Sequence, residues 1–326
     1  MDFAMRSAAV LILVAGLLDA VTWNYDPTGD HGPHNWHNMY ADECDSTKYP
    51  RQSPINIERG LLHYDPGLDD MRLNNFGGEN VTWQVKNTGH TIKFDVIDNN
   101  IESEGGPVGD IHYYVLNLHI HWGDDNETDG HGSEHTILGQ QHRAEMHIVH
   151  VNHMHQHLGE PDLLQKDDGL LVLGIFIDVA NQSKGQVPNK EFEKISEAAK
   201  MVKDKAGMVQ NLTTGFFNLG KLLPSNLHDY YTYPGGLTTP NCHGAVTWVV
   251  WKQVIYITQE QLNLFFTVKD EDGNNMTNTW RPPQPVNHRI VRTTAEADGL
   301  NGSTCASASW GLLLSAFLWL RLSTPA

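Results

Sequence analysis

The sequence predicts a mainly β protein built as a single domain. Short runs rich in β-branched and aromatic residues recur along the body, with Gly, Asn and Asp between them. Helical periodicity is confined to one stretch and one capping signal. No repeat, low-complexity linker or compositional break interrupts residues 23–293, so the 326 residues read as one domain rather than two.

The predicted strands, in order, are Val81–Val85, Thr91–Val96, Tyr113–Trp122, Glu145–Val151, Leu170–Val179 and Ala245–Ile257. Leu170–Ile177 is almost continuously apolar, as for a strand buried on both faces. Asn189–Lys205 is the main predicted helix. Asn189 can cap it, Phe192, Ile195, Ala199 and Val202 form one apolar stripe, and Gly207 can stop it. Glu191 and Glu193 at its start and Lys203 and Lys205 at its end complement the helix dipole. Thr258 with Gln261 is a capping box, which predicts a second, shorter helix. With 40% hydrophobic and 9% aromatic residues, the chain can bury a sizeable core.

The net charge of −17 excludes nucleic acid and anionic lipid surfaces as electrostatic partners. Residues 1–20 read as a signal peptide, with Arg6 before an apolar Ala8–Leu18 and a small residue at Ala20. At the other end, Asn301-Gly302-Ser303, a polar spacer and the apolar Trp310–Leu320 run have the order of a glycosylphosphatidylinositol (GPI) attachment signal. A short membrane helix is the alternative, but the run falls well below the ~20 residues a span requires. The expected division is therefore 1–20 signal peptide, 21–293 folded domain, 294–303 stalk and 304–326 removed propeptide, with the protein at the cell surface. Cys305 would leave with the propeptide. An even pair then remains, and in an oxidising compartment a Cys44–Cys242 disulfide is expected rather than two free thiols. Sequons at Asn80, Asn126, Asn181, Asn211 and Asn275 are the candidate N-glycosylation sites.

Chemistry points to the histidines. His119 and His121 stand two apart in an apolar run without helical period, so on a strand both imidazoles share one face. Glu145, His147 and Val149 share a face in the same way. If the two strands are neighbours, three imidazole nitrogens converge on one ion. Three histidines with a fourth position open is the pattern of catalytic zinc. The weight of this reading rests on setting, because the chain has 19 histidines and His-x-His alone is weak. The His153-Met-His-Gln-His157 cluster falls outside the pattern and reads as a solvated loop.

The ordered motifs are Gln52-Ser-Pro-Ile-Asn-Ile57, Gly89-His90, His119-Ile-His121-Trp-Gly, Ser133-Glu134-His135-Thr, Glu145-Met-His147, Tyr233-Pro-Gly-Gly-Leu-Thr238-Thr239-Pro240 and Trp280-Arg-Pro-Pro. Together they resemble the alpha-class carbonic anhydrases, from about Trp23 to Arg292. The Cys44 and Cys242 pair is similar to that of the secreted and membrane-bound members. The resemblance implies a large, twisted, mostly antiparallel sheet with a few short peripheral helices, and Zn2+ at the base of a conical cavity. It implies carbon dioxide and bicarbonate as substrates, and anions and sulfonamides as inhibitors.

It also implies roles for individual residues. Thr238 would aim the nucleophile by donating to Glu134, and its backbone N–H would steady an anion. Val149, Val172, Leu237 and Trp248 would wall an apolar substrate pocket. Glu145 would hold His147, and Asn117, with its short side chain, would hold His119 through a longer contact or one that passes through water. His90 would carry protons out, its pKa depressed if Lys93 points into the cavity. Tyr25, Asn87 and Thr239 would add polar surface. A relative that keeps the fold but lacks activity is the competing reading. Such proteins typically lose a metal ligand, and this chain keeps all three.

Overall fold

A computed structural model describes residues 23–295 except 42, 98–99 and 126–130. The expected signal peptide, most of the stalk, the anchor signal, Cys305 and Asn126 lie outside the described residues. The strands that carry the site are β1 (Trp83–Asn87), β2 (Ile92–Val96), β3 (Tyr113–Trp122), β4 (Ala144–Asn152), β5 (Leu170–Val179), β6 (Tyr230–Gly235) and β7 (Val246–Ile257). Within a 12-stranded sheet they lie side by side as β1-β2-β3-β4-β5-β7-β6. Val209–Asn211 pairs outside β1, while Val291–Thr293 and then Leu62–Tyr64 extend the sheet beyond β6. Most ladders are antiparallel, but β5 and β7 run parallel, as do Val291–Thr293 and Leu62–Tyr64. The sheet is therefore mixed. Parallel neighbours need a long crossover, and the one between β5 and β7 contains helix α1 (Phe192–Val202) and β6.

Period-two alternation gives the sheet two different faces. On one, Leu118, Ile120, Met146, Ile148, Leu171, Leu173 and Ile175 pack with Phe192, Ile195, Ala199 and Val202 of α1 in the larger core. On the other, Val172, Phe176, Tyr233, Trp248 and Val250 build a smaller one. As expected for a strand covered on both sides, β5 is buried from Leu170 to Ile177.

The main helix is shorter than its sequence pattern. Helix α1 begins at Phe192 with Glu191 at its cap position, so Asn189 stands outside it, its Oδ1 accepting from Glu191 N–H at 2.9 Å and its amide donating to Lys221 O. The helix ends at Val202, before Gly207. Gly207 sits at φ 82° and its N–H donates to Asn87 O of β1, so the chain has already turned toward the sheet. Helix α2 (Gln259–Phe265) has the capping box predicted, with Thr258 Oγ1 accepting from Gln261 N–H and Gln261 Oε1 accepting from Thr258 N–H. Strand β6 was not anticipated, because its Pro234 weakens the strand signature.

Cys44 and Cys242 form the expected disulfide, with the sulfurs 2.02 Å apart. It is buried beside Tyr25 and Trp36 and ties the N-terminal segment to the loop after Thr239. Asn80, Asn181, Asn211 and Asn275 are all exposed.

Candidate metal centre

Strand register assembles the site in rows. Directly opposed residues project from the same face. One row runs His119, His147, Gly174 across β3, β4 and β5. On one side of it lies Asn117, Val149, Val172, Trp248, and on the other His121, Glu145, Phe176. A pattern spaced by two on adjacent strands thus becomes a cluster. One ring nitrogen from each of His119, His121 and His147 lies within 4.8 Å of the others.

Each imidazole is held by its other nitrogen. His119 Nδ1–H donates to Asn117 Oδ1 at 2.9 Å, His121 Nδ1–H to Thr279 O at 2.6 Å, and His147 Nε2–H to Glu145 Oε1 at 2.8 Å. These bonds fix the tautomers, leaving His119 Nε2, His121 Nε2 and His147 Nδ1 as lone-pair donors. Asn117 does not need a long contact, contrary to expectation. It stands two residues from His119 on the same strand face, and at that spacing even its short side chain reaches. Burial pushes the pKa of His119 well down and that of His121 to about 3, with charge repulsion among the rings adding to it. Burial also lowers His147, against the pull of Glu145. Neutral imidazoles are the form that binds a metal.

Whether the residues fit a metal is answered by what lacks a partner. His121 Nε2 and Glu134 Oε2 are both buried without a hydrogen bond. Such an orphan costs about 1–3 kcal/mol, and native proteins rarely leave one without a reason. A cation among three neutral nitrogens, with a carboxylate oxygen 3.3 Å from His121 Nε2 and 3.9 Å from His147 Nδ1, supplies that reason. Three imidazoles with no thiolate suit zinc among divalent metals.

Glu134 is fully buried, and its Oε1 accepts from Arg281 N–H at 2.9 Å. Burial drives its pKa well up, while the Thr238 hydroxyl and Arg281 draw it back. Thr238 is thus close enough to act on Glu134, whose Oε2 is the oxygen left without a partner. Val172 and Trp248 are buried abreast of Asn117, and Val149 and Leu237 pack against the same small core. Trp248 is fixed by donating Nε1–H to Gly236 O.

Other expectations change. Asn87 is fully buried and structural: its amide donates to Lys269 O and its Oδ1 accepts from Gly89 N–H, so it adds no polar cavity surface. Thr239 uses its carbonyl to accept from Cys242 N–H. Tyr25 is buried among Trp23 and Trp36, with its pKa raised first by burial and then by Glu134. His90 stacks on Trp23 at 3.9 Å between ring centroids, and burial pushes its pKa down to about 4. Lys93 is not the cause of that shift. It faces His119 across the sheet, ion-pairs with Asp95 at 2.9 Å, and its charge acts on His119 instead.

Several supporting residues carried no role in the sequence reading. His135 Nδ1–H donates to Glu145 Oε1, and its Nε2 accepts from the Tyr233 hydroxyl at 2.6 Å, which bonds in turn to Ser53 Oγ. All lie inside the quoted motifs, so position was visible there but purpose was not. Gly174 is the least visible. A Cβ there would stand 3.2 Å from Glu145 Oε1 and 3.4 Å from Val250. Glu145 is held too firmly to give way, so Gly174→Ala is expected to weaken zinc binding about tenfold. Chelator competition measures this, and an unchanged affinity would mean that Glu145 yields after all.

The sequence matches the eukaryotic-type carbonic anhydrase family over residues 31–295. Carbonic anhydrase 7 of Mus musculus is 33% identical over 282 residues, covering 84% of this chain and 98% of its own. Carbonic anhydrase 3 of Homo sapiens is 31% identical over 281 residues, covering 84% of this chain and 99% of its own. Three tethered imidazoles aimed at one point, on this sheet and with that match, make the chain a member of the eukaryotic-type carbonic anhydrase family and an enzyme of that activity.

Proposed function

We propose that the protein is a zinc enzyme that interconverts carbon dioxide and bicarbonate at the outer face of the cell. The observation that carries the metal is the buried, unpartnered Nε2 of His121 beside two similarly oriented neighbours. When bound, zinc lowers the pKa of a coordinated water and so supplies a nucleophile near neutral pH, a general rule for which this enzyme family is the standard illustration.

The chain's own residues do the rest. Asn117, Thr279 and Glu145 hold the three imidazoles in the required tautomers. A cation held by the imidazoles would offset the burial that raises the pKa of Glu134; once ionised, Glu134 can only accept, so it draws the Thr238 hydroxyl proton and leaves Thr238 Oγ1 free to accept from the nucleophile. Val149, Val172, Leu237 and Trp248 offer an apolar wall to an apolar substrate. His90 accepts the released proton. With its pKa near 4 while stacked on Trp23, it does so at neutral pH only away from that stack.

Secretion, N-glycosylation at Asn80, Asn181, Asn211 and Asn275, and a GPI anchor complete the proposal. They rest on the terminal sequences, the exposed sequons and the Cys44–Cys242 disulfide, a bond typical of oxidising compartments. Phosphatidylinositol-specific phospholipase should release the protein from cell surfaces, and complete resistance would argue against the anchor.

Stopped-flow carbon dioxide hydration on the purified domain, with zinc quantified and a sulfonamide control, tests the activity. Zinc-loaded protein without sulfonamide-sensitive turnover would end the proposal. Within that assay Thr238→Val, which keeps shape and removes the hydroxyl, is expected to lower kcat/KM about 100-fold at unchanged zinc content. A change under threefold would remove Thr238 from the mechanism.

A further inference from the structure

The row that ends in the triad begins with two lysines. Lys86 of β1 directly opposes Lys93 of β2, and Lys93 opposes His119 of β3. All three side chains therefore leave the sheet on the face that carries the metal centre. Adjacent strands are about 4.8 Å apart, so Lys93 stands one spacing from His119 and Lys86 two.

Sheet stability does not call for this arrangement, because like charges directly opposite one another weaken a ladder. Nor does composition favour it, with 22 basic residues against 39 acidic ones. Lys93 Nζ lies 2.9 Å from Asp95 Oδ1, and both side chains keep about a third of their exposure, 29% and 32%. Asp95 opposes Asn117 in the next row. Lys86 is half-buried and has no carboxylate partner among the described residues.

A protein of net charge −17 repels an approaching anion over its whole surface. Bicarbonate, one of the two substrates, is an anion. We propose that Lys93, backed by Lys86, determines the site's affinity for small anions, bicarbonate included, and that Asp95 moderates it by pairing with Lys93. This rests on the carbonic anhydrase reading above.

Calorimetric titration of the zinc-loaded enzyme with sodium thiocyanate at low ionic strength tests the proposal through binding rather than turnover. Lys93→Gln is expected to weaken thiocyanate binding roughly threefold to tenfold, as for a partly screened charge close to the ligand. Lys86→Gln should weaken it less and Lys93→Arg should hold it near wild type, whereas Asp95→Asn should tighten it. The gap between Lys93→Gln and wild type should close when a non-competing salt screens the charge. Equal affinities in wild type and both glutamine variants would overturn the proposal, as would a gap that salt leaves unchanged. A zinc-loaded wild type that takes up no thiocyanate would overturn the metal-centre reading itself.

Discussion

Glu145→Gln is expected to destabilise the fold by about 3–5 kcal/mol and to weaken zinc binding about 10- to 100-fold. The carboxylate is fully buried and answers four donors. Oε2 accepts from the backbone N–H groups of Glu134 and His135 at 2.9 and 2.8 Å. Oε1 accepts from His135 Nδ1–H at 2.7 Å and His147 Nε2–H at 2.8 Å. Burial alone would raise its pKa, but His135 and His147 together hold it well below the usual carboxylate range. Glutamine keeps the shape and turns one acceptor oxygen into a donor NH2. That group would face N–H groups with nothing to accept, in a fully buried position.

The damage would reach both halves of the site. The same oxygen that takes the Glu134 N–H positions the carboxylate proposed to orient Thr238, and its partner oxygen holds a ligand of the triad. Urea unfolding and chelator competition on one variant read the two effects separately. A glutamine variant with wild-type stability and zinc affinity would show that Glu145 is not the hub of the site.

The ligands were legible from sequence because strand spacing is a strict code: residues two apart share a face, and only strand pairing remained to be supplied. The apolar wall was legible only through the family resemblance; in the fold, Val149, Val172 and Trp248 form one row of the register. What stayed hidden depends on contacts between segments distant in the chain. Thr279 holds His121 with a backbone carbonyl 158 residues away, a role open to any residue type. Gly174 matters for an atom it lacks, and only the position of Glu145 reveals it. Lys93 does share the face of the metal centre, but burial, not its charge, lowers the pKa of His90. His90 lies in a turn fixed by the Thr88 hydroxyl, while strand pairing sends Lys93 to His119. The parallel β5–β7 pair was hidden as well, because residue alternation is the same in either orientation.

Lowering the pH from about 6.5 to 4 is expected to destabilise the protein by several kcal/mol, with His150 contributing about 3 kcal/mol of it. His150 lies on β4 facing away from the triad, fully buried near Phe76. Its Nδ1–H donates to Ile148 O and its Nε2 accepts from the Ser103 hydroxyl, both at 2.9 Å. Both nitrogens of the neutral ring are hydrogen-bonded, and full burial disfavours the charge that a second ring proton would bring. Burial accordingly lowers its pKa from 6.5 to about 4. The unfolded chain therefore binds a proton at His150 between pH 6.5 and 4 that the folded chain refuses. Stability is whole above 6.5, falls as pH drops through that window, and levels off below 4. His90, also lowered to about 4, adds a smaller share because it keeps some contact with solvent. Carboxylates such as Asp65, lowered from 3.8 by hydrogen bonds from Gly67 and Arg292, act mainly below the window, and Glu145, lowered from 4.5, begins to act near its lower end. Urea unfolding at pH 7.5 and 4.0, on wild type and His150→Asn at the same zinc concentration, isolates the residue. The variant should start less stable and lose about 3 kcal/mol less on acidification. Parallel losses in the two proteins would mean that His150 takes up its proton in the folded state as readily as in the unfolded one.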